Sequence, residues 1–594
     1  MSQSTYMIRP SSERIGALLT SPQQFCIPRY QREFKWGLDE ATELIEDIEN
    51  VVGDPENTLF LGTMIFETSQ AGKLAIVDGQ QRITSLLLLL IACRERAKAL
   101  GEGPRVAAIQ NKIGFVDEAT GKSVGSRLIA AQSIRELFAH MASSDWDEVF
   151  PQKIGVKPIK RQVNRLRPLY GYFKTKVIDL LDSKKLTEFL NAIYNSYVFR
   201  IEIVDDVQAL GLFERTNARG VELEVADLLK NYLFAKNVDR DLIEDSWAQI
   251  TSNSAGQMLR MLKHFYTAKK GAVTKPVLYK KLKGYGNDVG AQQLTSQLLD
   301  FSQFHQLVRC GDADAVLTFF ANRGLDEITK HADRYKRIHC ALEGLREFGI
   351  VQFIPVAYAA IECLVRNKCT QDKASIKLLV RLFDSFEKYH FINNAICERV
   401  SNDNEKLYAK AAEEYALANE FIGSTNKIIN ELKKRNASED EFALNFPKKV
   451  NYQEGITLVA YVFDRINNVH NQPGAGVKIY DPDPRVFRKT HNIEHFLAQN
   501  PKSGPLYAKE AELVDDVGNL LIVPSEVNGK LGNFAPFEKM ALLTGSLNSK
   551  IKHLNHVEAF IAKYKAMASS WDAEAIGLRS RDLAKLAYRE VWKL

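Results

Sequence analysis

The sequence predicts a multidomain α+β protein that is mostly helical. The chain has 594 residues, more than the roughly 250–300 residues that one hydrophobic core usually serves. Strand-like and helical patterns mix in the first 90 residues, whereas strand patterns nearly vanish between residues 226 and 434. We therefore expect three domains, comprising residues 1–235, 236–436 and 437–594.

The first domain begins with alternating element types. Residues 59–66 and 73–77 are rich in β-formers, and residues 39–51 and 84–100 have helical periodicity. This mixture predicts a sheet covered by helices.

The rest of the chain predicts a helical connector and a compact C-terminal domain. Residues 377–391 and 404–421 are amphipathic with a helical period. The polar residues 436–442 are typical of a linker, and residues 471–483 are rich in glycine, proline and turn formers.

The composition is not that of a disordered, collagenous or coiled-coil protein. Apolar residues make up 45% and charged residues 26%, which is ordinary for a globular protein. The net charge of +6 is too small for this length to indicate a polyanionic partner by itself. The seven cysteines are scattered, which predicts a reducing cytoplasm rather than disulfides or a zinc knuckle. The longest apolar run is far shorter than a bilayer span, so we expect no membrane anchor.

Two stretches, residues 151–178 and 246–287, contain basic and aromatic residues but no acidic residue. This combination suits a phosphate backbone and stacked or flipped bases. For each stretch alone, a solvated surface with buried aromatics is an equal alternative; together they favour nucleic acid. The predicted DNA-binding residues are Lys160, Arg161, Arg165, Lys280, Lys281 and Lys283.

A polar segment directly follows the strand at 73–77 and opens the next helix. Its residues are Asp78, Gly79, Gln80, Gln81 and Arg82. A strand-to-helix turn directs free backbone N–H groups and the positive end of the helix dipole to one point, and an arginine adds a phosphate clamp. Asp78 could hold a metal or position water. The pattern alone favours a simpler alternative, in which Asp78 caps the helix, Gly79 makes the turn and Arg82 pairs on the surface.

Three further motifs accompany this segment. Residues 27–36 (IPRYQREFKW) include Tyr30, Gln31 and Arg32, and residues 60–66 read FLGTMIF. Residues 213–220 (FERTNARG) precede Leu223 and the segment 227–231 (DLLKN). Asn217 and Gly220 have an equally good explanation as a turn before a helix.

A second constellation lies near the C-terminus. His491 and His495 flank Glu494, then Asn519 precedes a strand-like segment, and Asn528 lies in a helix predicted from Ser525 through Leu543. Histidine, asparagine and asparagine on strand, loop and helix are the order that a ββα-metal nuclease site needs. We assign His495 as general base, with His491 as the second candidate catalytic histidine.

The remaining residues of this constellation have predicted supporting roles. Glu494 and Asn528 offer oxygen ligands of the kind that magnesium prefers. Asn519 would hold the intervening loop and so orient His495. Zinc is a weaker interpretation, because no third nitrogen or sulfur ligand follows at a suitable spacing.

The N-terminal motifs, in this order, resemble the N-terminal domain of GmrSD-type modification-dependent (type IV) restriction enzymes, which is related to the ParB/sulfiredoxin fold. The resemblance covers roughly residues 10–235. It implies a domain that binds and hydrolyses a nucleotide and senses DNA modification. Residues 78–82 match the nucleotide site, to which we also assign Tyr30, Gln31 and Arg32.

The C-terminal residues, roughly 440–594, resemble the HNH-like nuclease domain of the same family. The shared pattern is an EH pair, a GNL turn, an asparagine in the next helix and a late Phe-x-x-Lys. This chain has only Phe537-Glu538-Lys539 for the last element, and Ala498 replaces the usual proline three residues after His495.

The two resemblances together predict an NTP-regulated, modification-dependent DNA endonuclease or nickase that defends a bacterial cell against phage DNA. Its cofactors would be Mg²⁺ or Mn²⁺ and an NTP, with GTP, ATP, CTP and UTP not distinguished. Its partner would be double-stranded, modified phage DNA; homo-oligomerisation stays open. The alternative is a nucleotide-switched DNA-binding regulator with a degenerate nuclease site.

Overall fold

The computed structural model describes residues 9–28, 31, 33–54, 58–68, 72–116, 123–155, 157–203, 225–236, 239–399, 402–417, 420–471, 476–502 and 504–594. The chain divides into two compact units. Unit 1 comprises Met1–Trp247 and Gly286–Gln292, and unit 2 comprises Ala248–Tyr285 and Gln293–Leu594. The predicted connector and the predicted C-terminal domain thus lie almost entirely in one unit.

The strands in the described part of unit 1 are β1 (Arg9–Arg14), β2 (Gln24–Cys26), β3 (Phe60–Glu67), β4 (Lys73–Asp78), β5 (Gly114–Val116), β6 (Ser123–Ser126), β7 (Leu128–Ile129), β8 (Lys153–Ile154), β9 (Lys157–Pro158) and β10 (Tyr197–Ile203). A mixed six-stranded sheet has the order β1-β10-β3-β4-β2-β7. Strand β3 pairs antiparallel with β4 and parallel with β10.

Among the described residues up to 236, the helices are α1 (Ile15–Leu18), α2 (Leu38–Glu49), α3 (Gln80–Ala99), α4 (Gly103–Ile113), α5 (Arg135–Ala142), α6 (Lys160–Tyr172), α7 (Ser183–Asn195) and α8 (Val225–Lys236). A π-helix at Phe173–Val177 and a 3₁₀ helix at Ile178–Leu180 follow α6.

Helix α3 is the central helix of the unit 1 core. Every residue from Ile83 to Cys93 is buried, as expected for a helix that is covered on all sides. The helix begins four residues earlier than residue 84, where its periodic pattern begins, directly after Gly79.

From residue 240 to residue 467 the described residues form a helical array. Its helices are α9 (Arg240–Ser254), α10 (Met258–Lys270), α11 (Lys275–Val289), α12 (Ala291–Cys310), α13 (Ala313–Ala321), α14 (Asp326–Thr329), α15 (Ala332–Glu347), α16 (Ile354–Arg366), α17 (Lys373–His390), α18 (Asn402–Leu417), α19 (Phe421–Lys434), α20 (Glu439–Lys449) and α21 (Ile456–Asn467). A π-helix at Phe391–Ile396 continues α17.

The C-terminal part of unit 2 contains a two-stranded antiparallel sheet of β11 (His491–His495) and β12 (Leu520–Pro524). Its helices are α22 (Pro484–Thr490), α23 (Ala508–Leu513), α24 (Ser525–Leu531), α25 (Pro536–Thr544), α26 (Asn548–Ile551), α27 (Asn555–Tyr564) and α28 (Ala573–Leu586). Short 3₁₀ or π segments lie at Val517–Asn519, Lys565–Ser570 and Ala587–Val591.

Two local expectations fail in unit 2. Residues 436–442 are not a linker, because Ala437 is buried and Ser438 caps α20, whose first residue is Glu439. The helix expected from Ser525 through Leu543 is two helices, α24 and α25. Gly532 takes a positive φ of 42°, and Pro536 starts the next helix.

The connector helices and the C-terminal segment share one core. Phe391 stacks on Trp592 with ring centroids 3.7 Å apart. The fully buried carboxylate of Glu387 accepts a hydrogen bond from Trp592 Nε1 at 2.7 Å and from the hydroxyl of Tyr461, and Arg465 Nη2 lies 3.0 Å from it. These contacts bind α17, α21 and the chain end together.

Helix α21 also reaches the small sheet. Asn467 Oδ1 lies 2.9 Å from Nδ1 of the buried His556, and Nε2 of His556 lies 3.1 Å from the carbonyl oxygen of Ile522 in β12. The position of β12 therefore depends on α21.

The described residues contain a mostly helical α+β arrangement, 66% helix, with small sheets, which confirms the predicted class. No helix in the described ranges is both long and apolar enough to cross a membrane.

We expect Glu387→Ala to destabilise unit 2 strongly, because it leaves the buried guanidinium of Arg465 without its counter-ion. Removing one partner of a buried ion pair costs about 3–5 kcal/mol. Denaturant unfolding followed by tryptophan fluorescence measures this loss.

The matched control is Glu558→Ala at an exposed position of α27. Its unfolding free energy should change by less than about 0.5 kcal/mol. Equal transitions for the two variants would show that Glu387 is not structurally important.

Candidate functional site

The polar segment 78–82 forms the turn between β4 and α3. Gly79 precedes the helix with a φ of 97°, a left-handed conformation that favours glycine. A Cβ atom at this position would lie 2.7 Å from Cγ of Met64. The turn thus requires glycine for both its backbone angle and its close approach to β3.

Two glutamines connect this turn to the preceding loop. The side chain of Gln31 donates from Nε2 to the carbonyl oxygen of Val77 at 2.5 Å. The Oε1 atom of Gln81 accepts hydrogen bonds from the backbone N–H groups of Lys35 at 2.8 Å and Trp36 at 3.1 Å. Both side chains are buried, so they hold the loop rather than face solvent.

The side chain of Arg82 points towards β3. Its guanidinium donates to the carbonyl oxygens of Leu61 and Thr63 in β3, the latter at 3.0 Å, and lies 3.9 Å from the carboxylate of Asp78. Burial lowers the pKa of Arg82, and the charge of Asp78 opposes this. The side chains of Arg82 and Asp78 keep 25% and 23% exposure, so a ligand can still reach both.

The segment 227–231 contacts the motif at residues 27–36. Lys230 Nζ lies 3.4 Å from the carbonyl oxygen of Gln31, and burial lowers the pKa of Lys230. Gln80 is buried beside this turn. Tyr30, Arg32, residues 213–220 and Leu223 lie outside the described residues.

The C-terminal constellation forms around the end of β11. His495, the last residue of this strand, has Nε2 at 2.9 Å from Oδ1 of Asp515. The carboxylate of Asp515 also accepts hydrogen bonds from Gln499 at 2.8 Å and Gln453 at 2.6 Å. The ring of Tyr452 packs edge-on against His495 at 4.7 Å between centroids.

The pKa shifts of this pair indicate a neutral imidazole beside an ionised carboxylate. Burial lowers the pKa of His495, and Asp515 partly offsets that effect. Burial would raise the pKa of Asp515, but hydrogen bonds from Gln453, Gln499 and His495 outweigh it and lower the pKa. Because a carboxylate only accepts, Nε2 carries the ring proton and Nδ1 has the free lone pair.

Asn519 holds the loop behind His495. Its Oδ1 accepts the backbone N–H of Leu497 at 2.7 Å, and its Nδ2 donates to the carbonyl oxygens of Leu497 at 2.9 Å and Val514 at 2.7 Å. Trp571 Nε1 donates to Oδ1 at 3.2 Å. The fully buried amide thus fixes the loop that follows His495 to the segment that carries Asp515.

Glu494 and Asn528 form a second cluster with a lysine. Asn528 Nδ2 donates to Oε2 of Glu494 at 2.7 Å, and Lys539 Nζ lies 2.5 Å from Oε1. The same ammonium donates to the backbone carbonyl oxygen of His495 at 2.7 Å. Burial raises the pKa of Glu494 and lowers the pKa of Lys539.

The predicted catalytic and metal residues therefore form two neighbouring groups. The side chains of adjacent strand residues point to opposite faces, so Glu494 contacts α24 and α25 while His495 contacts Asp515. Within the described part of the chain, His491 joins neither group: its Nδ1 lies 3.1 Å from Oγ1 of Thr490, and its ring stacks near Phe487.

Most of the described basic side chains in the two stretches are exposed, whereas most of the aromatic ones are buried. Lys160, Arg161, Lys280 and Lys281 are exposed, and Lys283 is half-exposed. Arg165 is exposed too, although its guanidinium donates to the carbonyl oxygen of Phe34. The buried aromatics, which belong to the core and are not available for stacking, are Tyr170, Phe173, Trp247, Phe265 and Tyr285.

Sequence reasoning missed Asp515 and gave no role to Lys539. The signal for Asp515 was weak: an acidic pair one residue before the Gly518-Asn519-Leu520 turn. In the sequence, Lys539 belonged only to an imperfect match to the Phe-x-x-Lys motif. Their contacts depend on loops that close in three dimensions.

Comparison with known families matches both of these regions. Residues 15–234 match the model described as the GmrSD restriction endonuclease N-terminal domain, and residues 436–586 match that of the GmrSD restriction endonuclease C-terminal domain. A search of curated proteins finds no match. The two matched regions stand in one chain and together span more than half of it, and they contain the β4–α3 turn and the His495 and Glu494 groups. The chain therefore belongs to the GmrSD restriction endonuclease family.

Proposed function

We propose that the chain is a metal-dependent DNA endonuclease of HNH type whose cutting is regulated by an NTP bound in unit 1 and directed at modified phage DNA. Family membership supplies the restriction endonuclease function. The observation that carries the catalytic assignment is the 2.9 Å contact between Nε2 of His495 and the carboxylate of Asp515 at the end of β11.

His495 supplies the general base in this proposal. Its Nδ1 lone pair takes a proton from water as the water oxygen attacks phosphorus and the bond from phosphorus to the leaving oxygen of the DNA strand breaks. The Nε2–H group stays hydrogen-bonded to Asp515. The carboxylate then stabilises the imidazolium that forms, as a buried partner of a catalytic histidine does. Asn519 keeps the ring in place through the loop at Leu497.

The Glu494 group fits a hard divalent cation. Rotating the Asn528 amide by half a turn exchanges Nδ2 for Oδ1, so that one carboxylate oxygen and one amide oxygen face the same point. Mg²⁺ commonly uses one or two protein oxygens and fills its other positions with water and phosphate oxygens. Such an ion neutralises charge on the scissile phosphate and the leaving oxygen.

One contact in this group favours the alternative of a regulator with a degenerate nuclease site. Lys539 already places a positive charge on Glu494, which weakens cation binding by repulsion. A plasmid cleavage assay with Mg²⁺ or Mn²⁺ distinguishes the two, because only the endonuclease produces cuts.

The nucleotide proposal relies on the β4–α3 turn. The first backbone N–H groups of α3 lack helical partners and sit at the positive end of a 20-residue helix. In this proposal Arg82 keeps one side of its guanidinium on β3 and turns the other to a phosphate. Gln31 and Gln81 hold the adjoining loop in position.

We expect His495→Ala to reduce DNA cleavage by about 100- to 10,000-fold, because it removes the proton acceptor. DNA binding and the unfolding transition should stay near those of the unaltered protein. Timed cleavage of a supercoiled plasmid by the purified protein measures the rate.

Asp515→Asn serves as the companion variant, since it keeps the side-chain shape but removes the charge. We expect cleavage to fall about 10- to 100-fold, as for partners that orient a functional histidine. Wild-type cutting by His495→Ala would refute the assignment of His495 as general base.

Arg82→Ala should lower NTP turnover at least about 10-fold, because a phosphate would lose a charge-assisted hydrogen bond. The variant also frees two β3 carbonyl oxygens, so some stability should be lost. The arrangement of the candidate nuclease residues in unit 2 should not change. Protection of cells against phage should nevertheless disappear if the nucleotide cycle controls cutting.

The control for Arg82→Ala is Lys184→Ala, an exposed change in the same unit. NTP turnover, DNA cleavage and phage plating are measured on both variants. Normal turnover in Arg82→Ala would exclude the nucleotide site, and normal protection without turnover would exclude the coupling.

Replacing Lys280, Lys281 and Lys283 with glutamine should weaken DNA binding and flatten its salt dependence. Each true phosphate contact contributes about 0.9 to the slope of log affinity against log salt. Titrations with duplex DNA at several salt concentrations measure the slope. An unchanged slope, compared with a triple variant at the exposed Lys377, Lys433 and Lys552, would identify these lysines as ordinary surface.

A further inference from the structure

Unit 2 contains a cavity of about 810 Å³ that none of the assigned functions uses. It lies among α10, α11, α16 and α18, which belong to the part of the sequence between the two family-matched regions. Its volume is within the range of small-molecule sites, about 300–1,000 Å³. The lining residues allow the chemistry of its occupant to be derived.

The charge of the lining is strongly positive. Four basic side chains and one carboxylate line the cavity: Arg260, Lys263, Lys275, Lys406 and Glu405. Lys263 and Glu405 pair with each other at 2.7 Å. The other three cations are exposed at the rim. The surplus of positive charge favours an anion over a metal ion.

Helix N-termini add to this positive potential. Leu259 and Arg260 lie in the first turn of α10, Lys275 starts α11, Pro355 lies in the first turn of α16 and Glu405 in that of α18. Each helix has 13 or more residues. The N-terminal end of each carries a partial positive charge and free N–H groups. Four such ends around one cavity suit a phosphate.

The interior of the cavity is suited to a flat, mostly apolar group. Val273 and Leu278 are buried lining residues, and Leu259 is exposed there. His264 also lines the cavity, and its buried Nδ1 atom has no hydrogen-bond partner within the described part of the chain. Burial, together with His305 and the nearby cations, lowers the pKa of His264 to about 3, so its ring is neutral.

We propose that this cavity binds one nucleotide, with its phosphate at the basic rim and helix N-termini and its base against the apolar wall beside His264. The nucleotide has two sources, a nucleotide of a DNA strand or a free nucleotide in solution. The site is separate from the β4–α3 turn, so it does not depend on the nucleotide proposal for unit 1.

Binding to the full chain tests this proposal with three probes: deoxycytidine monophosphate, ATP and a fluorescent 12-nucleotide single strand. The charge variant is Arg260→Gln with Lys275→Gln, and the steric variant is Ala272→Trp, an exposed lining position. The control is Lys377→Gln with Lys433→Gln, which removes the same charge elsewhere. Melting curves verify that all three variants fold.

We expect at least one probe to bind both cavity variants about 10- to 100-fold more weakly than it binds the unaltered protein. Its affinity for the control variant should stay within about twofold of that for the unaltered protein. For the single strand, the charge variant should also lower the salt slope by about 1.4. A loss confined to the single strand identifies a strand nucleotide as the ligand, whereas a loss that extends to the monophosphate or ATP identifies a free one.

Arg82→Ala is measured in parallel, so that ATP bound in unit 1 is recognised. The proposal is overturned if no probe loses affinity in Ala272→Trp, or if the control weakens binding as much as the charge variant does. The nuclease assignment is unaffected by either result, because none of these residues lies in the His495 or Glu494 groups.

Discussion

Unit 2 depends on the neutralisation of one buried carboxylate. A charge in a core is tolerated only when donors surround it, and Glu387 receives Trp592, Tyr461 and Arg465. These donors come from the end of the chain and from α21, so the core forms only when both have reached α17. Helix α21 then carries Asn467 to the buried histidine that holds β12. Strand β11, which presents His495, pairs with β12 and is thus positioned from the helical array through that strand.

The sequence predicted the presence of local elements better than their boundaries. The strand at 73–77 and the following helix were predicted because the strand composition and Gly79 are local signals. Helical periodicity was visible only from residue 84 because the first turn of α3 is polar, and the segment 78–82 was expected to open this helix, which begins at Gln80. Residues 436–442 were taken for a linker because polar residues dominate them, yet Ala437 and Phe442 are buried.

The candidate site was predictable as a set of residues but not as an arrangement. Glu494 and His495 are neighbours in sequence, and strand geometry sends them to different partners. Asp515 comes from a loop 20 residues later, and Lys539 from a helix beyond the next asparagine. Sequence spacing contains no information on such loop closure. The same holds for Gln31 and Gln81, whose bonds to backbone groups turn two separate motifs into one structure.

The stacking of Phe391 on Trp592 has a consequence for limited proteolysis of the chain. A protease cut near Asn436 would place the two rings on different fragments. When those fragments part, the apolar surface between the rings is exposed, and the C-terminal fragment loses part of its own core. The candidate nuclease residues therefore keep a folded scaffold only while both fragments stay together.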